Sequence, residues 1–227
     1  MSLHGQMIEL KGADGFHFGA YHAEAQGKRK AGLVLIQEIF GVTDHIKEQA
    51  DRFAKVGYEV IAPAIYDRIE RGFQTGYSEA GIKRALEVRD AHKLDDGVGD
   101  VGACRAALAP KGKVFIAGYC FGGSMTWICA ARLPGFAAGS AYYGRLIPDH
   151  LDELPKCPVI CHFGEHDSGI PMELVHKVQA VTEKHPDLET YVYPAGHGFQ
   201  SDRRRDYDEA SDKLAWQRTM DLFDANL

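Results

Sequence analysis

The stretch Val114–Gly123 constrains the fold of this chain more than any other part of the sequence. It opens with the apolar run Val-Phe-Ile-Ala and continues as Gly118-Tyr119-Cys120-Phe121-Gly122-Gly123. Apolar runs rich in β-branched and aromatic residues suit a buried strand, and the residues from Ser124 to Leu133 are expected to form a helix. A strand, a sharp turn bearing a nucleophile and a helix together form a nucleophile elbow, here with Cys in place of Ser.

The glycines two residues before and two residues after the cysteine are there for a steric reason. The turn is so sharp that the residues two before and two after the nucleophile approach each other, and both must be small. Gly118 and Gly122 occupy these positions. The positive end of the following helix would stabilise a thiolate on Cys120. The alternative interpretation is a small buried residue without chemistry, so the case depends on finding a base and an acid elsewhere.

Strands and helices alternate through most of the chain. The expected strands after an N-terminal hairpin around Gly12–Gly15 are Leu33–Ile36, Tyr58–Ala62, Val114–Ala117, Ala137–Tyr143, Val159–Phe163 and Glu189–Tyr193. Besides a helix from Thr43 or Asp44 to Gly57, the expected helices are Ser78–His92, Asp95–Leu108, Ser124–Leu133, Pro171–Lys184 and Tyr207–Leu222. This order predicts an α/β fold with a mostly parallel, doubly wound sheet flanked by helices. We expect one domain over residues 1–227.

Composition and charge argue against several classes of function. The chain has 227 residues, a formal net charge of −6 and 45% hydrophobic residues, which does not favour a nucleic-acid partner. No apolar run is long enough to cross a bilayer, and the first seven residues lack the apolar core of a signal peptide. Five scattered cysteines fit reduced thiols better than a disulfide framework. We therefore expect a cytoplasmic protein, a monomer or small homo-oligomer, with no membrane partner.

A candidate acid and a candidate base follow the elbow in the chain. Asp167 follows the strand that ends at Phe163, and His197 follows the strand that ends at Tyr193. Nucleophile, acid, histidine is the triad order of this fold class, and all three lie at the carboxyl ends of parallel strands. His197 would take the thiol proton, and Asp167 would orient the imidazole. Alternatively, Asp167 caps the next helix, Glu165 is the acid, or His197 is an ordinary turn residue.

Glu38 is an unusual carboxylate, because it comes directly after a buried strand, where an unpaired charge is costly. It could lie near the thiol and exchange a proton with it, or pair with an arginine of a neighbouring loop. The same turn is where such folds place one oxyanion donor, so we expect the backbone N–H groups of Ile39 and Phe121 to bind the oxyanion. Tyr66 lies in a loop after a strand end, where α/β sheets bind ligands.

A metal site is a further alternative, with His162, His166 and His197 beside Asp167 as its ligands. The segment reads as a strand followed by a turn, and a His-x-x-x-His spacing suits metal binding on a helix. We therefore predict no metal.

The sequence resembles the dienelactone hydrolase family (carboxymethylenebutenolidases) over nearly its whole length. The motifs that carry the resemblance are Gln37-Glu38-Ile39-Phe40-Gly41, Gly97-Val98-Gly99-Asp100, the elbow from Gly118 to Gly123, Asp167, Gly196-His197-Gly198-Phe199 and Tyr207…Ala215-Trp216-Gln217-Arg218-Thr219. The resemblance implies an α/β-hydrolase fold and a Cys-His-Asp hydrolase that opens a lactone or cleaves an activated ester through a thiol acyl-enzyme. It also implies that Glu38 controls the ionisation of the thiol, with no metal or organic cofactor.

The sequence departs from the family at the residues that bind the substrate's carboxylate. Members that open dienelactone hold this group with arginines, one of which follows shortly after the catalytic histidine. Here the first arginine after His197 is Arg203, so Arg203 is the candidate substrate-binding residue, within a run to Arg205 that could equally be a solvated surface. The open alternatives are a carboxylesterase or thioesterase of another substrate class, and a non-catalytic ligand-binding or redox-sensing protein.

Overall fold

The computed structural model describes residues 3–227, in which strands and helices alternate along most of the chain. Its internal contacts divide the chain into two compact units, one ending at Phe115 and the other running from Ile116 to Leu227. The expectation of a single domain over residues 1–227 stays a prediction.

The first unit contains four strands: β1 (Gln6–Lys11), β2 (His17–Ala23), β3 (Ala31–Ile36) and β4 (Tyr58–Pro63). Their order across the sheet is β1-β2-β4-β3. The predicted hairpin is confirmed, because β1 pairs with β2 in antiparallel register. Strand β2 is also antiparallel to β4, whereas β3 and β4 are parallel. Every residue of β3 and β4 is buried, which is why both read in the sequence as continuous apolar runs.

Three helices accompany these strands: α1 (Asp44–Lys55), α2 (Glu79–Ala91) and α3 (Leu94–Leu108). Ser78 caps α2 as predicted, since its hydroxyl accepts a hydrogen bond from the N–H of Gly81. The predicted cap of α3 at Asp95 is wrong, because that helix begins one residue earlier with Lys93 as its N-cap. Two 3₁₀ turns complete the unit, Ile65–Arg68 and Ala109–Lys111.

An ion pair joins the hairpin to α3. Arg68 donates to both carboxylate oxygens of the fully buried Asp100, at 2.8 and 3.0 Å, and to Asp14 in the hairpin turn at 2.7 Å. A two-pronged bond of this kind fixes the geometry of both partners. The Gly97–Asp100 motif therefore has a structural role in this unit.

The second unit contains four parallel strands in the order β5-β6-β7-β8: β5 (Val114–Tyr119), β6 (Gly139–Tyr142), β7 (Val159–Gly164) and β8 (Leu188–Tyr193). The first two residues of β5 belong to the first unit. Its helices are α4 (Phe121–Arg132), α5 (Met172–Thr182) and α6 (Glu209–Ala225), with a 3₁₀ turn at Ile147–Asp149. Because the four strands are parallel, their carboxyl ends lie at one edge, which carries the candidate site.

Within residues 3–227 no helix combines the length and the apolar composition that a membrane span requires.

Candidate active site

Cys120 occupies the sharp turn between β5 and α4. Its backbone has φ 57° and ψ −114°, a conformation that costs a non-glycine residue about 1–3 kcal/mol. A Cβ placed on Gly118 would lie 2.2 Å from the carbonyl oxygen of Gly122, far inside contact distance. The close approach predicted for these two glycines is therefore confirmed, and the turn leaves the thiol partly exposed.

The structure brings the side chains of Cys120, His197 and Asp167 into one hydrogen-bonded row. The Cys120 Sγ lies 3.2 Å from Nε2 of His197. On the other side of the ring, Nδ1 of His197 lies 2.6 Å from Oδ2 of Asp167. This is the geometry in which an imidazole exchanges a proton with a nucleophile while a carboxylate holds the ring.

The loops that follow β7 and β8 are joined by backbone hydrogen bonds. The N–H of Glu165 donates to Tyr193 at 2.7 Å, and the N–H of His166 donates to Ala195 at 2.9 Å. Gly164 permits this pairing, because a Cβ there would lie 2.3 Å from the carbonyl oxygen of Ala195. The two loops therefore hold the carboxylate and the imidazole side by side.

The geometry favours Asp167 over Glu165 as the carboxylate of the site. The Asp167 side chain is fully buried, whereas Glu165 is exposed. While Oδ2 faces His197, Oδ1 of Asp167 accepts hydrogen bonds from the N–H groups of Gly169 at 2.8 Å and Ile170 at 3.1 Å. Asp167 thus orders the loop before α5 and binds the imidazole, so the structural and the chemical interpretations both apply.

The electrostatic environment keeps His197 protonated at neutral pH. Burial by itself would lower the pKa of His197. The negative charge at the Cys120 sulfur and the hydrogen bonds to Asp167 and Cys120 outweigh burial and raise this pKa to about 10. The arrangement therefore suits an imidazolium at pH 7, with Nε2 directed at the Cys120 sulfur.

The end of β6 contacts both the cysteine and the histidine of the row. The sequence analysis did not predict these contacts. The carbonyl of Tyr142 accepts the N–H of Cys120 at 3.0 Å. The ring of Tyr143 lies 5.0 Å from the imidazole of His197, centroid to centroid. A Tyr-Tyr-Gly sequence directly after a strand at this edge was a signal, but local sequence does not say which ring a tyrosine contacts.

In the first unit, Glu38 lies in the turn after β3 and is fully buried. The hydroxyl of Tyr77 donates to its Oε2 at 3.1 Å, and the ring of Tyr77 packs edge-on against Phe40 at 4.6 Å. Gly41 closes the turn, because a Cβ there would lie 2.0 Å from the carbonyl oxygen of Phe73. Tyr77 is thus a partner of Glu38 that the sequence reasoning did not identify. The roles predicted for Glu38 and for the N–H of Ile39 stay predictions.

Tyr66, a candidate substrate-binding residue, is only 1% exposed. Its ring packs against Phe73 at 6.0 Å and His92 at 5.4 Å. Burial of this kind argues against direct contact between the ring and a substrate, and the substrate-binding role of Tyr66 stays a prediction.

Arg203 is exposed in the loop between His197 and α6. The side chain of the neighbouring Arg204 lies against Gly198, the residue after His197, since a Cβ on Gly198 would meet its Cδ at 2.5 Å and its Nε at 2.6 Å. Arg204 is therefore a second candidate for the carboxylate-binding role proposed for Arg203.

His162, one of the three histidines considered as metal ligands, lies in a separate polar network. Nδ1 of His162 lies 2.7 Å from the hydroxyl of Tyr193, and its Nε2 lies 3.1 Å from the hydroxyl of Ser140. Burial, followed by the charge of Arg218, lowers the pKa of His162 to about 3, so the ring is neutral. Among residues 3–227 no group of three or more His, Cys, Asp or Glu side chains is arranged to hold a metal ion.

Comparison with known proteins identifies the family. The model of the Dienelactone hydrolase family matches residues 18–227. A relative from Synechocystis, provisionally named a carboxymethylenebutenolidase, is 34% identical over 212 residues, which cover 86% of each chain. An Escherichia coli K12 relative with the same provisional name is 33% identical over 232 residues, covering 93% of this chain and 83% of its own. The chain belongs to the dienelactone hydrolase family.

A solved structure supports the same assignment. The crystal structure of a Klebsiella pneumoniae protein, provisionally described as a dienelactone hydrolase, superposes with a TM-score of 0.83 at 28% identity, covering 96% of this chain and 98% of that one. The α/β-hydrolase fold predicted from the sequence is thereby confirmed, and the chain is a hydrolase of the dienelactone hydrolase kind.

Proposed function

We propose that this dienelactone hydrolase-like enzyme cleaves a small ester or lactone through Cys120, His197 and Asp167, with a thiol acyl-enzyme as the intermediate. The observation that carries the proposal is the row of two contacts, 3.2 Å from Cys120 Sγ to His197 Nε2 and 2.6 Å from His197 Nδ1 to Asp167 Oδ2. Membership in the family makes a small ester the expected class of substrate.

In the acylation step, the Cys120 thiolate attacks the substrate carbonyl carbon and a C–S bond forms. The carbonyl electron pair moves to oxygen, where the N–H of Phe121, the first residue of α4, is the proposed donor together with the N–H of Ile39. The tetrahedral intermediate collapses, the C–O bond breaks, and the leaving alkoxide takes the proton from Nε2 of His197. In a lactone the released oxygen stays attached to the acyl group, so acylation opens the ring.

In the deacylation step, neutral His197 takes a proton from water, and the resulting hydroxide adds to the thioester carbonyl. Collapse of this second intermediate breaks the C–S bond and returns Cys120 as a thiolate beside protonated His197. Asp167 accepts the hydrogen bond from Nδ1 throughout and stabilises the imidazolium. Following the family resemblance, we propose that Glu38 modulates the thiol, and that Arg203 or Arg204 binds a substrate carboxylate.

The experiment is a substrate panel run on matched cysteine variants. Dienelactone, p-nitrophenyl acetate, p-nitrophenyl butyrate and an acyl thioester are incubated with wild type, Cys120→Ala, Cys120→Ser and Cys157→Ala, each with and without iodoacetamide. Cys157 is the matched control because it is the other partly exposed thiol. We expect turnover to disappear in Cys120→Ala, to fall at least 100-fold in Cys120→Ser, and to stay within twofold in Cys157→Ala.

The panel also separates the alternatives. Full activity in Cys120→Ala would overturn the proposal. Activity that depends on Cys120 but prefers uncharged esters would indicate a carboxylesterase, and a preference for the thioester would indicate a thioesterase. A wild type that turns over nothing, while Cys120 is alkylated readily, would favour a redox-sensing role.

A further inference from the structure

Tyr143 has an unusual backbone directly after β6. Its φ is 38°, in the left-handed region that non-glycine residues seldom adopt. Its N–H donates to the carbonyl of His162 at 2.7 Å. The next residue, Gly144, packs tightly against α4, since a Cβ on it would lie 2.7 Å from the backbone nitrogen of Ser124. The neighbouring strand and helix therefore hold Tyr143 in a strained conformation.

This backbone places a fully buried ring against the imidazole of His197. The two rings are 5.0 Å apart and inclined at 59°. Phe199 packs on the Tyr143 ring at 5.4 Å, and Tyr193 in turn packs on Phe199 at 5.0 Å. The Tyr143 ring is thus backed by other aromatic rings and has little freedom to move away from His197.

The hydrogen bonds of His197 do not fix its ring completely. Its contacts to Asp167 and Cys120 act at Nδ1 and Nε2, on the edge of the ring, so the position of the ring also depends on the side chains packed against it. The Tyr143 ring packed beside it limits how far the imidazole can move.

We propose that Tyr143 is a positioning residue for His197: its buried aromatic ring holds the imidazole so that Nε2 stays directed at the Cys120 sulfur. The proposal deepens the proposed function and rests on it. It also gives the strained backbone a reason, since strain of about 1–3 kcal/mol persists where the surroundings over-determine a conformation that a site needs.

The test compares Tyr143→Phe, which keeps the ring, with Tyr143→Leu, which removes it. Phe223→Leu is the control for loss of a buried ring, because Phe223 is fully buried on α6. For each folded variant, kcat and KM are measured with p-nitrophenyl acetate, and the rate of Cys120 alkylation by iodoacetamide is measured from pH 5 to pH 10.

If Tyr143 positions His197, Tyr143→Leu lowers kcat at least tenfold with KM within twofold, and slows alkylation at pH 7 at least fivefold. Tyr143→Phe and Phe223→Leu stay within twofold of wild type in kcat and in the alkylation profile. Phe223→Leu is expected to lower only the melting temperature. Tyr143→Met fills most of the volume without a flat ring and replaces the Leu variant if that variant does not fold.

Two results would overturn the proposal. One is a folded Tyr143→Leu or Tyr143→Met protein with the wild-type alkylation profile. The other is a Tyr143→Phe protein that loses as much reactivity as Tyr143→Leu, because the ring itself would then not be the cause. Alkylation needs no substrate, so a wild type without ester turnover would refute the proposed function and leave this test valid.

Discussion

Replacing Asp167 by Asn removes a charge from the candidate site while leaving its backbone contacts available. Oδ1 of Asp167 accepts hydrogen bonds from Gly169 and Ile170, and Oδ2 faces Nδ1 of His197. The amide oxygen of Asn must take over the backbone bonds, because two N–H groups require an acceptor. The amide nitrogen then faces His197 and donates to Nδ1. When the ring is neutral, as deacylation requires, it must then carry its proton on Nε2, where it cannot take a proton from water.

The expected size of the effect follows from the contact. A hydrogen bond to a charged group contributes about 1.5–3 kcal/mol, and one pKa unit corresponds to about 1.4 kcal/mol. The pKa of His197, raised to about 10 in the wild type, should therefore fall by about 1–2 units in Asp167→Asn. The raised pKa keeps the imidazole protonated below about 10, so the variant loses this charge at a lower pH. With the wrong tautomer as well, kcat/KM should fall by a factor of about 10² to 10⁴.

Two measurements check this reasoning, with Glu165→Gln as the matched control on an exposed acid of the same loop. Hydrolysis of p-nitrophenyl acetate at pH 7.5 gives kcat/KM, and ¹⁵N spectra of labelled histidine give both the pKa and the tautomer of His197. Glu165→Gln should stay within twofold of wild type. The reasoning fails if Asp167→Asn keeps more than a third of the activity, if its imidazole titrates as in the wild type, or if Glu165→Gln loses as much.

Two further predictions concern stability, each with a matched control. Gly118→Ala should destabilise the protein by at least about 3 kcal/mol, because its Cβ would lie 2.2 Å from a backbone oxygen; Gly99→Ala, with open space around it, should stabilise the protein by about 0.5–1 kcal/mol. Urea unfolding of both variants would contradict the packing argument if the two behaved alike. Glu59 is nearly buried, and its pKa is lowered to about 2, since bonds to Lys111, Arg29 and His22 outweigh burial. A lowered pKa stabilises the fold above about pH 4.5, and this stability is lost as the pH falls towards 2. Glu59→Gln should therefore cost up to about 3 kcal/mol at pH 7 and flatten the dependence between pH 4.5 and 2, whereas Glu9→Gln, exposed, should do neither.

The strands were predictable because a strand that is buried on both faces requires a continuous run of apolar residues. Leu33–Ile36 and Val114–Ala117 are continuous apolar runs, and the structure buries both completely. Helix starts were less predictable, because several polar residues near a start can serve as the cap. Asp95 looks like a cap in sequence, yet α3 begins at Leu94, and Asp95 lies inside its first turn.

The row of Cys120, His197 and Asp167 could be predicted because each residue follows the carboxyl end of an expected strand, in the chain order nucleophile, acid, histidine. Gly118 and Gly164 each lie where a Cβ would come within 2.4 Å of a backbone oxygen. Such contacts occur at the carboxyl ends of parallel strands, so the residues that follow share one edge of the sheet. Chain order, the strand ends and the glycines of the elbow were enough to predict the three residues, whereas the close approach at Gly164 is a finding of the structure.

The side chains that surround the row could not be predicted, because their partners are set by packing between distant segments. Tyr66 and Tyr143 both follow strands in the sequence, and both are almost fully buried. One packs against Phe73 and His92, the other against His197, and nothing local distinguishes them. The same holds for Arg203 and Arg204, since the fold of the loop decides which one lies against Gly198.

Position at a strand end thus predicts proximity to the chemistry of an α/β hydrolase, whereas the direction of a side chain decides its role. For this reason the reaction class follows from the sequence, and the residues that select the substrate have to be found by experiment on the folded protein.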